Sequence, residues 1–421
     1  MNKKRSPWLW VPSLYYAEGL PYVVVMMVSV IMYKRLGISN TDIALYTSWL
    51  YLPWVIKPLW SPIVDILRTK RWWIVSMQLI IGAGMAGVAL TIPVSNFFQY
   101  TLAFLWLMAF SSATHDIAAD GFYMMGLDEH EQAWYVGFRS TFYRLAMITG
   151  QGLLVILAGS LETSTGSNKL AWSITFFILA AMFVIFSLYH KFMLPKPQSD
   201  QTKSVTDIAH FLNEFKRTFV LFFKKKRIGI ILSFLLLYRL GEAQLVKLAS
   251  PFLLDGRDVG GLALSTSEVG VIYGTVGIIL LTLGGILGGF IAAKDGLKKW
   301  LIPMAVAINL PDIVYIYLAY AQPHSFLIVN ICVAIEQFGY GFGFTAYMLY
   351  MIYISDGEHK TAHFALATGF MALGMMLPGM ISGWLQELMG YKFFFIYVII
   401  ATIPGFVLLP FLPLDKEFGK K

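Results

Sequence analysis

Long apolar runs recur along nearly the whole chain, and short polar segments separate them. A helix of roughly twenty apolar residues crosses a bilayer core about 30 Å thick, so each run is long enough to span a membrane. Inside lipid a helix satisfies its own backbone groups, whereas an open strand cannot. The pattern therefore predicts an all-α polytopic membrane protein with twelve transmembrane helices. The expected spans are residues 8–33, 42–63, 73–93, 98–126, 132–159, 169–193, 227–254, 266–293, 299–321, 325–354, 361–387 and 391–413.

Composition supports this class, because 57% of the 421 residues are hydrophobic and only 13% are charged. A soluble core cannot absorb so many apolar runs. The net charge of +8 does not indicate nucleic-acid binding, since the basic residues cluster at helix ends, as membrane topology requires. The bilayer is therefore the expected environment and nucleic acid is not an expected partner. The single cysteine, Cys332, excludes an internal disulfide.

The positions of the basic residues predict the orientation of the chain. If the N-terminus is cytoplasmic, the inside segments carry 22 Lys and Arg residues and the outside segments carry five. Cytoplasmic loops are enriched in Lys and Arg, so this bias places both termini in the cytoplasm. The basic N-terminus precedes an apolar stretch that is too long for a signal peptide, and we interpret it as an uncleaved first span.

The two halves of the chain repeat each other. The acidic turn at 127–130, after span four, matches the turn at 356–359, after span ten. A repeat of six spans around a basic linker is typical of transporters that hold their solute between two bundles. We predict an N-terminal six-helix bundle over residues 1–194, a cytoplasmic linker over 195–226 and a C-terminal six-helix bundle over 227–421. Within the linker, six apolar residues at helical spacing predict an amphipathic helix on the inner leaflet: Val205, Ile208, Phe211, Leu212, Phe215 and Phe219.

Four charges lie inside spans four and five, where a charge is costly unless it pairs or lines a watery cavity. Asp116 and Asp120 are four residues apart and share a helix face. Counted from the turn that joins the spans, Asp120 lies at the depth of Arg139 and Asp116 at the depth of Arg144. The register therefore favours two ion pairs. Because Arg139 and Arg144 are about 140° apart around the helix, at least one of them is expected to have another task.

We predict that these four residues couple a proton gradient to transport. Neighbouring carboxylates disfavour being ionised together, and an arginine that swings away would let one of them bind a proton. Asp116 is the expected coupling site, and Asp120, nearer the cytoplasm, is expected to release the proton inward. The alternative is a static structural ion pair. The corresponding positions of the second half are uncharged, so the charge chemistry is expected in the N-terminal bundle alone.

A second group of polar and aromatic residues lies in spans one, five, seven and ten. Arg239 is a candidate for binding a carboxylate on the solute through its planar fork, and an intrahelical pair with Glu242 is the alternative. Aromatic rings can stack on sugars, although packing is the usual role of aromatic residues at membrane depth. His115 can carry protons, but hydrogen-bonded packing is the more common role of a single buried histidine. The candidate solute-binding residues are Tyr15, Glu18, Tyr143, Arg144, Tyr238, Arg239, Glu242 and Glu336.

Several motifs together resemble one transporter family. The turns after spans two and eight are similar to the signature of the major facilitator superfamily. Longer motifs lie at Lys57–Asp65, Ser112–Asp120, Leu237–Ala243, Glu336–Ala346 and Pro378–Trp384. They are similar to motifs of the muropeptide permease (AmpG) family of that superfamily, and the resemblance extends over nearly the whole chain.

The resemblance implies a fold and a function. It implies the major facilitator fold and a monomer in the bacterial inner membrane that imports anhydromuropeptides with protons and uses no cofactor or metal. It also places Asp116 and Asp120 at the position of that family's intramembrane acidic pair. The alternatives are a carrier of another acidic solute, such as a peptide, a siderophore or an acyl-CoA, and a membrane-embedded transferase. No loop is large enough to build a soluble active site, so an enzyme is not expected.

The orientation gives a testable prediction. In a chain whose Cys332 is replaced by alanine, a cysteine introduced at Ser199 should react with an impermeant thiol reagent only from the cytoplasmic side. A cysteine at Ser164 should react only from the outside. The opposite labelling pattern would reverse the orientation and every depth inferred from it.

Overall fold

The helices follow the predicted spans closely. A computed structural model of the chain describes residues 5–201, 216–357 and 359–419, and these ranges contain no strand. The helices, numbered in chain order, are α1 Val11–Val23, α2 Ser29–Arg35, α3 Asn40–Trp49, α4 Leu52–Ile66, α5 Lys70–Thr91, α6 Phe97–Gly126, α7 Glu129–Ile148, α8 Val155–Thr165, α9 Asn168–Met193, α10 Ile228–Leu237, α11 Leu240–Leu254, α12 Thr266–Val271, α13 Ile278–Asp295, α14 Leu297–Asn309, α15 Ile313–Ala321, α16 Phe326–Ser355, α17 Lys360–Ala401 and α18 Ile403–Leu408.

The described residues form ten continuous helical segments that are long and apolar enough to cross a membrane. The last segment, Lys360–Phe411, has 52 residues and would be about 78 Å long, enough to cross twice. It turns at Gly390, whose backbone (φ 70°, ψ 164°) is open to glycine but strained for other residues. The predicted second span is present as α3 and α4, which Leu50 and Tyr51 separate. Counted in this way, the helices account for the twelve predicted spans.

Several spans are irregular near their middle. Spans one, five and eight each contain a π-helical stretch, at Val24–Val28, Thr149–Leu154 and Ile272–Gly277. Span seven is interrupted between α10 and α11, at Tyr238 and Arg239. Span nine is interrupted between α14 and α15 by a short 3₁₀ turn. Such irregular backbone often occurs at functional sites, where it changes the direction of nearby side chains.

The chain divides into two compact units. The first unit consists of Met1–Met32 and Ile56–Glu214, and the second consists of Tyr33–Val55 and Phe215–Lys421. Helix α3 belongs to the second unit, where it packs against α17 and α11. The predicted division into six-helix bundles at residues 194 and 227 stays a prediction. The linker helix predicted over 205–219 lies mostly outside the described residues, and the described part, residues 216–223, is helical.

Each unit has its own apolar core. In the first unit, Trp10 packs edge-on against Phe122 between α1 and α6. In the second unit, the ring of Tyr238 stacks on Tyr347 at a centroid distance of 5.1 Å. Exposed Leu, Ile and Phe side chains occur on the outer faces of most spans. This distribution is the one expected of helices surrounded by lipid tails.

A buried polar chain crosses the first unit and includes His115. The amide of Gln78 bonds to His115 Nε2 at 2.9 Å on one side, and its oxygen accepts from His190 Nδ1 at 2.9 Å on the other. His190 Nε2 in turn lies 3.0 Å from Ser13 Oγ. Because Gln78 donates to one imidazole and accepts from the other, both histidines fit this chain as neutral rings. The geometry favours the packing role for His115.

Small residues allow α13 to approach α16 closely. A Cβ added at Gly284 would overlap the carbonyl oxygen of Phe338, and one at Gly288 would lie 2.8 Å from Thr345 Oγ1. On the neighbouring row, a Cβ at Gly289 would have no atom within 4 Å. Close packing of this kind holds helices together in lipid, where apolar burial drives association only weakly.

These two rows give a matched pair of variants. Gly284→Val should destabilise the folded chain by about 1–3 kcal/mol or more, because α16 has to move away to admit the side chain. Gly289→Val carries the same change in helix propensity but meets open space, so its unfolding temperature in detergent should stay near that of the wild type. Equal unfolding temperatures for the two variants would contradict the close contact at Gly284.

Candidate functional site

The turn that joins α6 to α7 sets the register of the charged residues. Asp128 Oδ1 accepts from the Glu131 backbone N–H at 2.9 Å, and the Glu131 carboxylate accepts from the Asp128 N–H at 3.1 Å. This reciprocal capping box fixes the first turn of α7. The acidic turn singled out in the sequence is therefore a helix cap. The Gln132 side-chain amide, on α7, donates to the backbone oxygens of Met124 and Leu127 at 3.0 and 2.9 Å and ties the start of α7 to the end of α6.

Asp120 and Arg139 form the ion pair predicted from that register. Arg139 Nη2 lies 2.6 Å from Asp120 Oδ1. Tyr15, on α1, donates its hydroxyl to the same oxygen at 3.3 Å, and the Arg139 guanidinium lies 4.4 Å from the centre of the Tyr15 ring. About a third of each charged side chain is accessible, 33% for Arg139 and 38% for Asp120. The pair is thus not sealed inside protein.

Asp116 has a different partner from the one predicted. Its Oδ2 forms an ion pair with Lys57 Nζ, on α4. The predicted pair with Arg144 is therefore wrong, because the basic residue beside this carboxylate is Lys57 of span two. Arg144 is partly buried, and it forms no ion pair with any residue that the structure describes.

Glu18 joins the two aspartates to form a carboxylate cluster of Glu18, Asp116 and Asp120. One carboxylate oxygen from each residue lies within 4.8 Å of the others. Glu18 is 6% exposed, and its Oε2 has no hydrogen-bond partner among the described residues. Three acids therefore share two bases, Lys57 and Arg139. With every group ionised, the cluster carries a charge of −1 that no ion pair with another described residue balances.

The cluster has the spacing of a cation site, but its contents favour a proton over a metal ion. Oxygen ligands from three carboxylates can hold a hard cation. Here Lys57 and Arg139 already neutralise two of the carboxylates, so a divalent metal would have to displace or repel them. A single proton on the third carboxylate makes the cluster neutral without displacing either base.

Tyr143 lies beside the cluster. A Cβ added at Gly19, the residue after Glu18, would lie 3.0 Å from the Tyr143 carbonyl oxygen, so α1 and α7 cross closely here. The structure thus brings together the candidate residues Tyr15, Glu18, Asp116, Asp120, Arg139 and Tyr143 in the first unit.

The candidate residues of span seven form a pair of their own. Arg239, at the interruption between α10 and α11, donates to Glu242 through Nε at 2.5 Å and through Nη2 at 2.9 Å. Nη2 also donates to the Tyr340 hydroxyl at 2.8 Å. The intrahelical pair, considered as the alternative, is therefore present. In this conformation the fork of Arg239 is committed to Glu242, and it can hold a solute carboxylate only if that pair opens.

Two other candidate residues in the second unit, Tyr238 and Glu336, also form hydrogen bonds within the protein. Tyr238 is buried, and its hydroxyl donates to the backbone oxygen of Gly343 at 3.1 Å, so the geometry favours packing over solute contact. The Glu336 carboxylate accepts from the side-chain amide of Gln337 at 3.0 and 3.2 Å. Glu336 is 3% exposed and has no basic partner among the described residues.

Sequence reasoning missed three charged residues within the spans: Lys57, Lys247 and Asp312. Lys247 is buried in α11, donates to Thr47 Oγ1 at 3.1 Å and forms no ion pair with the described residues. Asp312 is buried at the interruption of span nine. The signal that could have found all three is simple, because each is a charge inside a predicted span.

Comparison with known proteins places the chain among transporters. The profile of the Major Facilitator Superfamily matches residues 17–246. A "Putative transporter AmpG 4" of Rickettsia conorii is 27% identical over 409 residues, which cover 94% of each chain. The "Anhydromuropeptide permease" of Escherichia coli (strain K12) is 24% identical over 405 residues, 94% of this chain and 77% of that protein. The resemblance noted in the sequence is thus confirmed.

Solved structures support the fold. The crystal structure of a D-xylose–proton symporter is similar with a TM-score of 0.73 and 11% identity, over 98% of each chain. At this identity the likeness establishes the major facilitator fold and nothing about the solute. The predicted fold class is confirmed.

The Lys57–Asp116 pair gives a prediction about stability. Lys57→Met should leave Asp116 without its base and destabilise the chain by about 1–3 kcal/mol, less than for a fully buried pair because both side chains are partly accessible. Adding Asp116→Asn to that variant should restore most of the loss, because the unpaired charge disappears. Unfolding temperatures of the wild type, both single variants and the double variant measure the coupling. Strictly additive effects would show that the two residues do not interact.

Proposed function

This chain belongs to the Major Facilitator Superfamily, and we propose that it imports a muropeptide-like solute together with protons. The chain is a multi-pass membrane transporter. The proposal also covers the identity of the solute, the coupling to protons and the bacterial inner membrane as the location. It further includes alternating access of two six-helix bundles and action as a monomer. Its relatives are transporters, so the transferase alternative has no support.

The similarity over nearly the whole chain supports the choice of solute. Both relatives named above align with 94% of this chain, so the likeness includes spans from both halves. One of them is named for anhydromuropeptide, a solute that carries sugar rings, hydroxyls and a peptide with free carboxylates. Tyr15, Tyr143 and Arg144 are the proposed solute contacts in the first unit, since they lie beside the carboxylate cluster or lack an ion pair among the described residues. In the second unit, Arg239 is the proposed solute contact once its pair with Glu242 opens.

The proposal of proton coupling rests on the net charge of the carboxylate cluster. A net charge inside a membrane costs several kcal/mol, and the fully ionised cluster has three acids for two bases. One proton removes that charge. The sequence pattern favoured Asp116 as the proton carrier, but Asp116 and Asp120 each have a base of their own. Glu18 has none, and its Oε2 has no hydrogen-bond partner among the described residues, so we now propose Glu18 as the carrier.

Coupling follows from this balance. With Glu18 protonated, the cluster is neutral and the chain can change between its outward-open and inward-open states at low electrostatic cost. Loss of the proton on the cytoplasmic side leaves a charge of −1 on the cluster. For each cycle to import a proton, the empty chain must return deprotonated, and a further base must then balance that charge. Arg144 is the proposed base, because it forms no ion pair with the described residues. The partial exposure of Asp120 and Arg139 gives protons a route to the cluster. A pH gradient would thereby drive uptake in one direction.

Glu18→Gln tests this mechanism, because the amide resembles a permanently protonated acid. In proteoliposomes, the variant should lose accumulation of a labelled anhydromuropeptide driven by a pH gradient. It should keep exchange of the labelled for the unlabelled solute, since exchange needs no net movement of protons.

Glu162→Gln is the matched control. Glu162 is also a buried glutamate of the first unit, but it accepts from Trp172 Nε1 at 2.9 Å, away from the cluster. This variant should accumulate solute normally if it folds. Uphill uptake with normal pH dependence in Glu18→Gln would exclude Glu18 and return the role to Asp116 or Asp120. No uptake of anhydromuropeptide by the wild type, with uptake of another acidic solute, would replace the proposed substrate.

A further inference from the structure

The interruption of span nine is the second place where buried acids lack bases. Helix α14 ends at Asn309, a 3₁₀ turn covers Leu310–Asp312, and α15 begins at Ile313. Pro311, within the turn, cannot supply the backbone N–H that a continuous helix requires. Backbone and side-chain oxygens at such breaks are a recurrent means of binding small cations in transporters.

Three oxygen atoms at this break are buried and have no hydrogen-bond donor among the described residues. They are both carboxylate oxygens of Asp312 and the side-chain oxygen of Asn309. Asp312 is 1% exposed and Asn309 is 4% exposed. Asn309 is the last residue of α14 and Asp312 is the last residue of the 3₁₀ turn, so the unpartnered oxygens lie at the two ends of the interruption. An ionised carboxylate without a single donor in a membrane interior is too costly to persist.

The surroundings of Asp312 make that cost higher. The charged groups that act on its carboxyl are Glu336 and Glu242, both acidic. Glu336, on α16, is itself buried and accepts hydrogen bonds from Gln337 and Tyr315, neither of which is basic. The nearby phenols of Tyr273 and Tyr315 hydrogen-bond to each other. Arg239 is held by Glu242, and Asp312 and Glu336 form no ion pair with any described residue.

Helix α16 holds the acids near the break. A Cβ added at Gly339, one turn beyond Glu336, would lie 2.7 Å from Pro311 Cγ. The nearest atom to that Cβ would be the backbone oxygen of Ala307, on α14, so α16 packs closely against both α14 and the turn. Helix α17 also contacts the turn. The described parts of these neighbours bring no basic partner to Asp312.

We propose that the interruption of span nine is a second binding site for a monovalent cation, formed by Asp312, Asn309 and Glu336. The cation is either a proton on the Asp312 carboxyl or Na⁺ held by the three oxygens and Glu336. This site lies in the second unit, apart from the carboxylate cluster, and does not depend on the function proposed for that cluster. It would extend the charge chemistry, which the sequence predicts in the N-terminal bundle alone, to the second unit. A transporter with both sites would move more than one cation in each cycle.

The test measures cation binding without transport. Two purified proteins are compared: the Glu18→Gln variant and the Glu18→Gln/Asp312→Asn double variant. Both carry Glu18→Gln so that the carboxylate cluster has one titrating acid fewer. In the chain with Asp312, either acidic buffer or NaCl in place of choline chloride should raise the unfolding temperature by about 2 °C through ligand binding. Asp312→Asn should remove that rise, because the neutral amide has the shape of the acid but binds neither cation. Asp258→Asn, on an exposed loop, is the matched control and should keep it.

Asn309→Ala distinguishes the two cations. It should abolish a rise caused by Na⁺, which needs the amide oxygen, and leave a rise caused by protons unchanged. It also supplies a second variant if Asp312→Asn does not fold. Equal rises with and without Asp312 in both buffers, or no rise in the chain that retains Asp312, would overturn the proposal and leave Asp312 as a static buried acid. Neither result would bear on the proposed function, which the uptake experiment with Glu18→Gln tests separately.

Discussion

The cost of an uncompensated charge inside a membrane governs this chain more than any other interaction. Three ion pairs and one buried hydrogen-bonded chain within the spans obey it. Asp120 is paired with Arg139, Asp116 with Lys57 and Glu242 with Arg239, and the two histidines of the first unit are linked through Gln78. The exceptions are the informative residues. Glu18, Asp312 and Glu336 are acids without a base, and Lys247 and Arg144 are bases without an acid among the described residues.

Helix irregularity and polar chemistry coincide. Arg239 lies at the interruption of span seven, and Asp312 ends the interrupting turn of span nine. Glu18 precedes Gly19, where α1 and α7 cross so closely that a Cβ would meet backbone. A regular helix spaces side chains evenly around its axis, whereas a break or a close crossing can bring polar side chains together at one depth in the membrane. At the two interruptions, both in the second unit, this arrangement costs helical backbone hydrogen bonds, a cost that a purely structural span would not need to bear.

The sequence predicted the spans and one ion pair because those features depend on local spacing. Apolar runs set helix positions, and the capping box at Asp128 and Glu131 fixed the register that places Arg139 beside Asp120. It did not predict Lys57 as the partner of Asp116, because the face of α4 that meets α6 depends on packing between helices distant in sequence. The break at Asp312 was also missed, although Pro311 was visible. One proline within an otherwise apolar run does not show whether the helix bends, breaks or continues.

The central claim is that a muropeptide and protons move through this chain together. Proteoliposomes that enclose a pH-sensitive dye, with equal pH on both sides, test it most directly when anhydromuropeptide is added outside. The account predicts that the lumen acidifies as the solute enters, and that the anhydro-disaccharide without its peptide gives a smaller change. Solute entry without any change in luminal pH would contradict the claim.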